Sequence, residues 1–148
     1  MIFEFEKDFA GTFRCIPMIV RFNLDLCGIK LSLKQWSRLG RHMRAELVTR
    51  PCSTTEEIES YRDELISAIR TKVGEEPKLF QVEVNPEWRN RAAVPARINE
   101  FAASRNVSPI GPSYWAALTD LQRFAIYKLT RVSHDNDNFV PALEEFGF

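Results

Sequence analysis

Residues 17–29 read PMIVRFNLDLCGI and residues 95–107 read PARINEFAASRNV, and the comparison between them decides the fold class. Taken alone, the first stretch supports two foldings. Val20, Leu24 and Cys27 recur at helical spacing behind a proline suited to the first turn of a helix, and Gly28 suits a left-handed stop. Yet Phe22, Leu24 and Leu26 alternate with Arg21, Asn23 and Asp25, which fits a hairpin turning at Cys27 and Gly28. The second stretch has no such alternation. Ile98, Phe101 and Ala102 share one helical face, and Asn106, which also tolerates left-handed backbone, stands where the first stretch has Gly28. The pair together favours helix in both.

Outward from these stretches the correspondence continues. Pro17 aligns with Pro95, Val20 with Ile98 and Ile29 with Val107. After one inserted residue Trp36 meets Trp115, Leu39 meets Leu118, Arg44 meets Arg123 and Leu47 meets Ile126; after two more, the Thr-Arg pair at 49–50 meets that at 130–131. Two readings stay open: an internal repeat of 17–50 in 95–131, or coincidence among apolar residues at helical spacing. Helices follow from either.

Ser32 with Gln35, Thr54 with Glu57 and Thr119 with Gln122 form capping boxes, in which a hydroxyl and a longer polar side chain satisfy each other's backbone N–H groups at a helix start. Ile58, Tyr61, Leu65 and Ile69 predict an amphipathic helix ending near Gly74 and Pro77. Asn136, Asp137 and Asn138 suit the cap of a last helix that carries Pro141 in its first turn. Alternation in IFEFE (2–6) and FQVEVN (80–85) predicts two short strands. The expected fold is mainly α: a compact helical bundle forming a single domain over 1–148, with at most a minor two-stranded β element from near the N-terminus and residues 79–85.

The composition suits a globular core, with 45% apolar residues, eleven Phe and three Trp in 148 residues. Trp36, Trp88 and Trp115 read as core anchors. Twenty Lys and Arg balance twenty Asp and Glu, so no global field draws the chain to nucleic acid. The middle is locally basic and the ends acidic, which suits a partner surface. Charges interrupt every apolar stretch well short of the roughly 20 residues a membrane helix needs, and acids occupy the N-terminus where a signal peptide has a basic region. A cytoplasmic chain is the expectation, and three cysteines without paired spacing fit free thiols there.

Cys15, Cys27, Cys52 and His134 are numerically a zinc set. A helix over 17–27, however, places Cys15 and Cys27 roughly 16–18 Å apart at ~1.5 Å per residue, too far for one ion. A smaller site from Cys15 or Cys27 with Cys52 and His134 stays open, with Cys15, Cys52 and His134 the weak metal candidates, and buried apolar packing serves the thiols equally well. The segment around His134 lacks the glycine and terminal glutamate of a calcium loop. Arg38, Arg41, His42 and Arg44 lie close enough to dock a phosphate or an acidic partner, but suit a solvated helix face better. The sequence holds no phosphate-binding glycine loop, zinc-protease or serine-hydrolase motif, so no catalytic residue and no cofactor is assigned.

The strings FEFEKDF, RCIPMIVRF, LDLCGIKLSLKQW, the Pro-Cys pair at 51–52, LQRFAIYKL and HDNDNFVPALEEF resemble, in order, the nitrate reductase-associated protein family of cyanobacterial type. Arg14, Cys15, Pro17, Arg21, Cys27, Gly28, Trp36, Cys52, Arg123, His134 and Asn136 match its pattern, with no roles assigned. Val132 and Ser133 depart from it, standing where a Pro-Gly-like turn is expected. The resemblance implies a non-enzymatic accessory or assembly protein for a cytoplasmic molybdenum-dependent nitrate reductase. Its implied partner is that enzyme or the machinery loading its molybdenum cofactor. The alternative is a small metal-binding or redox protein using its cysteines and His134.

Overall fold

The computed structural model describes residues 1–131 and 138–148. It is mainly helical, with nine α-helices and one two-stranded antiparallel sheet among the described residues. The chain divides into two compact units, Met1–Val82 and Glu83–Phe148.

The first unit opens on a 3-10 turn over Glu4–Glu6 and α1, Lys7–Ala10. Here the predicted N-terminal strand is corrected. Alternation assigned Glu6 to solvent, but its carboxylate is buried and accepts the N–H groups of Phe3 at 3.0 Å and Met18 at 2.9 Å. Curling the chain into a turn is what lets one carboxylate reach both. Met18 is the first residue of α2, Met18–Cys27, whose N-cap Pro17 has no side-chain cap of its own, so Glu6 supplies from a distance the acceptor that a helix start needs.

The hairpin alternative is thereby excluded: 18–27 is one helix, and Gly28 closes it with φ +73°, its N–H on the Leu24 carbonyl at 2.9 Å. Ile29–Lys30 forms β1, which pairs antiparallel with β2, Lys78–Leu79, placing Ile29 opposite Leu79 and Lys30 opposite Lys78. One further bond, Phe80 N–H to the Gly28 carbonyl at 2.9 Å, ends the ladder. The strand expected over 80–85 fails for a geometric reason. Between the end of α2 and Ser32, which caps α3, Leu33–Arg38, too few extended residues remain to pair with it. Val82 and Val84 are accordingly left exposed.

From Gly40 runs α4, Arg41–Thr49, followed by α5, Thr55–Ala68, and a π turn over Ile69–Val73 that Gly74 closes at φ +77°. The core of this unit gathers Val20, Leu24, Trp36, Leu47, Tyr61 and Leu65 among others. In the second unit a 3-10 turn over Glu87–Arg89 precedes α6, Ala96–Ser104; α7, Pro112–Ala117; α8, Asp120–Lys128; and α9, Phe139–Glu145. Its core holds Trp88 edge-on against Phe124 and Phe101 edge-on against Phe139, with ring centroids 5.6 and 4.9 Å apart. Asn138 occupies the N-cap of α9 without a side-chain cap bond; Asn136 and Asp137 lie outside the described residues.

All three capping boxes form as the sequence predicts. At α5 the Glu57 carboxylate accepts both the Ser53 and Thr54 N–H groups at 3.0 Å, and these two bonds hold its pKa below the ordinary 4.5. A depressed carboxylate stabilises the folded state above its unfolded pKa, and that contribution is lost as pH falls from 4.5 through the lower folded value. The amide signals of Ser53 and Thr54 are therefore expected to titrate with a midpoint below 4.5, and to stop titrating in Glu57→Gln.

Candidate functional site

Each unit contains the same local device. Trp36 is fully buried and its Nε1 donates to the Phe13 carbonyl at 2.6 Å; Arg44 Nη1 donates to that same oxygen at 2.9 Å. Trp115, equally buried, donates to the Asn90 carbonyl at 2.8 Å, and Arg123 Nε to the Trp88 carbonyl at 2.9 Å. Each indole and guanidinium thus pins the backbone just upstream of the first long helix of its unit. Phe13 holds φ +61°, a costly geometry for a bulky residue, with its carbonyl taken by two donors. Arg44 therefore does not belong to the solvated face predicted for 38–44, whereas Arg38, Arg41 and His42 are exposed as expected.

Two places in the first unit combine residues with chemistry. One is a pair of thiols. Cys27 ends α2, Cys52 lies in the irregular stretch between α4 and α5, and both belong to the buried core of the first unit. Both are free and buried. The Cys27 thiol also faces the Ile58 carbonyl at 3.7 Å, while Arg62 Nε holds the Cys27 carbonyl at 3.2 Å. Interaction between the two thiols raises the Cys27 pKa, with burial adding to the effect, and lowers that of Cys52. Beside them, Tyr61 donates its hydroxyl to the Leu47 carbonyl at 2.8 Å, and burial raises its pKa. Tyr61→Phe would leave that carbonyl without its donor, at an expected cost of about 1–2 kcal/mol in urea unfolding.

The second place is a basin of about 630 Å³ lined by Lys30, Leu31, Ser32, Lys34, Gln35, Glu75, Glu76 and Lys78. Its two carboxylates are engaged: Glu75 accepts from Gln35 Nε2 at 3.0 Å and Glu76 pairs with Arg70 at 3.1 Å. Among the described residues Lys30, Lys34 and Lys78 make no ion pair. Lys30 and Lys78 stand directly opposite across the strand pair, where like charges repel. Leu33 and Leu79, 52% and 51% exposed, flank these lysines in sequence.

The residues singled out in the sequence scatter accordingly. Cys27 and Cys52 share the buried core of the first unit, whereas Cys15 is half-buried before α2, its N–H on the Phe9 carbonyl at 3.1 Å. Pro17 is buried as the N-cap of α2, Arg14 is exposed, and Arg21 returns its Nε to the Ile16 carbonyl at 3.0 Å. His134 and Asn136 lie outside the described residues. Among the described residues no three His, Cys, Asp or Glu side chains converge as metal ligands do. Glu6 and Arg62 escape a reading along the sequence because each bonds a residue of a different element, and the three lysines because distant segments bring them to one basin.

No helix among the described residues is long and apolar enough to cross a membrane. No curated protein and no solved structure matches the chain. One family model does, over residues 2–146, described as conserved nitrate reductase-associated protein. That match spans nearly the full length and both units, and the chain belongs to the nitrate reductase-associated protein family.

Proposed function

We propose that the protein is a non-enzymatic accessory factor that binds a cytoplasmic, molybdenum-dependent nitrate reductase, or the machinery loading its cofactor, and supports assembly of the active enzyme. The observation that carries this reading is membership, over residues 2–146, of a family described by its association with nitrate reductase. Charge gives the docking face. Lys30, Lys34 and Lys78 crowd one basin without ion pairs among the described residues, beside exposed Leu33 and Leu79. An acidic, partly apolar segment of the partner complements both features, relieving the repulsion across the strands while covering the leucines.

The test is retention of the apo reductase on the immobilised full chain. Binding is expected, weakening as salt rises, and charge reversal at Lys30→Glu, Lys34→Glu and Lys78→Glu together should lower retention at least tenfold. If no reductase is retained, and cells lacking the chain keep full reductase activity, the proposal fails. Equal retention by the triple variant would leave an accessory role and remove this face from it.

A further inference from the structure

The β1–β2 ladder leaves the outer edge of β2 open. Phe80 N–H turns toward β1 to meet the Gly28 carbonyl at 2.9 Å, and two positions back Lys78 faces Lys30. Leu79 lies between them, opposite Ile29, and in an antiparallel pair such alternate residues turn their N–H and C=O away from the neighbouring strand. Gln81, next along that edge, is exposed, and its backbone makes no hydrogen bond among the described residues. The side chains agree with the backbone. Leu79 is 51% and Val82 39% exposed, in a run whose alternation suits a strand that no described segment completes. An open strand edge is a template for another strand.

We propose that the reductase docks here by strand addition: an extended segment of it, with acidic and apolar residues in alternation, pairs with the outer edge of β2 as a third strand. This mode of contact rests on the accessory role proposed above and specifies its interface. Main-chain bonds to Leu79 and Gln81 supply affinity that any strand could use, and the side chains choose among strands. Lys78 and Lys30, directly opposite, share one face of the pair and line the basin with Lys34. A residue added beside Lys78 stands about 4.8 Å away on that same face. An acidic side chain there offsets three lysines that make no ion pair among the described residues. Leu79 points to the other face, where an apolar neighbour covers it. An acidic helix would also meet the lysines, but it would leave the Leu79 and Gln81 backbone groups unpaired.

The test measures retention of the apo reductase on the immobilised full chain with two variants at one position. Gln81→Pro deletes the outward N–H, which no bond among the described residues uses, and proline is tolerated at a sheet edge; Gln81→Ala keeps that N–H. Retention is expected to fall roughly tenfold in the first and to stay within about twofold in the second. Amide exchange at Leu79 and Gln81 is expected to slow when the reductase binds, while Phe80 N–H, bonded to Gly28, is protected in the free chain and in Gln81→Pro alike, which shows that the variant keeps its fold.

Equal retention by Gln81→Pro, or unslowed exchange at Leu79 and Gln81 in the complex, overturns strand addition and leaves the accessory role standing. A dimer of the free chain that Gln81→Pro dissolves overturns it too, because the edge then belongs to a second copy. So does the absence of retention by the unmodified chain, and the reductase activity of cells lacking the chain then decides the accessory role separately.

Discussion

Replacing Arg123 by methionine is expected to cost the second unit about 3–5 kcal/mol. The side chain is 1% exposed, and its guanidinium serves three acceptors: the Trp88 carbonyl through Nε, the Leu118 carbonyl through Nη1 and the Asp120 carboxylate through Nη2. Methionine roughly keeps the volume but offers no donor, so two buried carbonyls lose their partners at about 1–3 kcal/mol each. Asp120 is about half exposed and rehydrates, contributing little. Lysine is expected to fail as well, because one ammonium cannot span acceptors on both sides of a planar fork.

The comparison that isolates the cause is Arg44→Met in the first unit. Arg44 is only half-buried, donating to the Gly40 carbonyl at 3.2 Å and the Phe13 carbonyl at 2.9 Å, and the latter keeps the Trp36 indole. Its loss should cost about 1 kcal/mol. Urea unfolding combined with amide exchange in α8 and α4 separates the two effects; equal losses would mean that burial of the guanidinium is not what matters.

The second large effect is expected at Gly28, where alanine should destabilise the first unit by about 2–4 kcal/mol. Two causes add. Backbone at φ +73° disfavours any side chain, and a Cβ would meet the Phe80 carbonyl oxygen at 2.6 Å and Val82 Cγ2 at 3.0 Å. The carbonyl is fixed, since Phe80 N–H is itself bonded to the Gly28 carbonyl, so the strand pair must shift to admit the methyl. Asn106 occupies the matching helix end of the second unit at φ +58° and is exposed. There Asn106→Gly should change stability by only a few tenths of a kcal/mol. Two left-handed helix stops, one with a strand packed on its Cα and one open, thus predict different tolerance at the same backbone angle, readable from thermal unfolding of the two variants.

Which parts were legible in the sequence follows from which forces are local. The capping boxes at Ser32, Thr54 and Thr119 formed as read, because a hydroxyl and a side chain three residues on need nothing beyond their own turn. The helix over 18–27 and its stop at Gly28 were resolved by comparing two stretches, where periodicity in one was ambiguous. The tryptophans were correctly placed in the core, although nothing local revealed which carbonyls their indoles would hold.

The misreadings share one origin. IFEFE alternates as a strand does, yet folds as a turn because the buried Glu6 carboxylate reaches Met18, twelve positions on. FQVEVN alternates too, yet pairs only at its start, because the facing segment between α2 and α3 is too short. Strand formation depends on a partner that alternation does not name.

The sequence by itself determined the helices, their starts and stops, the residues that fill the cores and the family to which the chain belongs. Those rest on spacing and on side chains acting within a few residues of themselves. The tertiary structure alone decided that Cys27 and Cys52 are buried in one core while Cys15 is only half-buried, that Lys30 and Lys78 oppose each other over one basin, and that Arg44 and Arg123 turn inward to carbonyls. Each is a meeting of distant segments, fixed by how helices pack and not by any pattern along the chain.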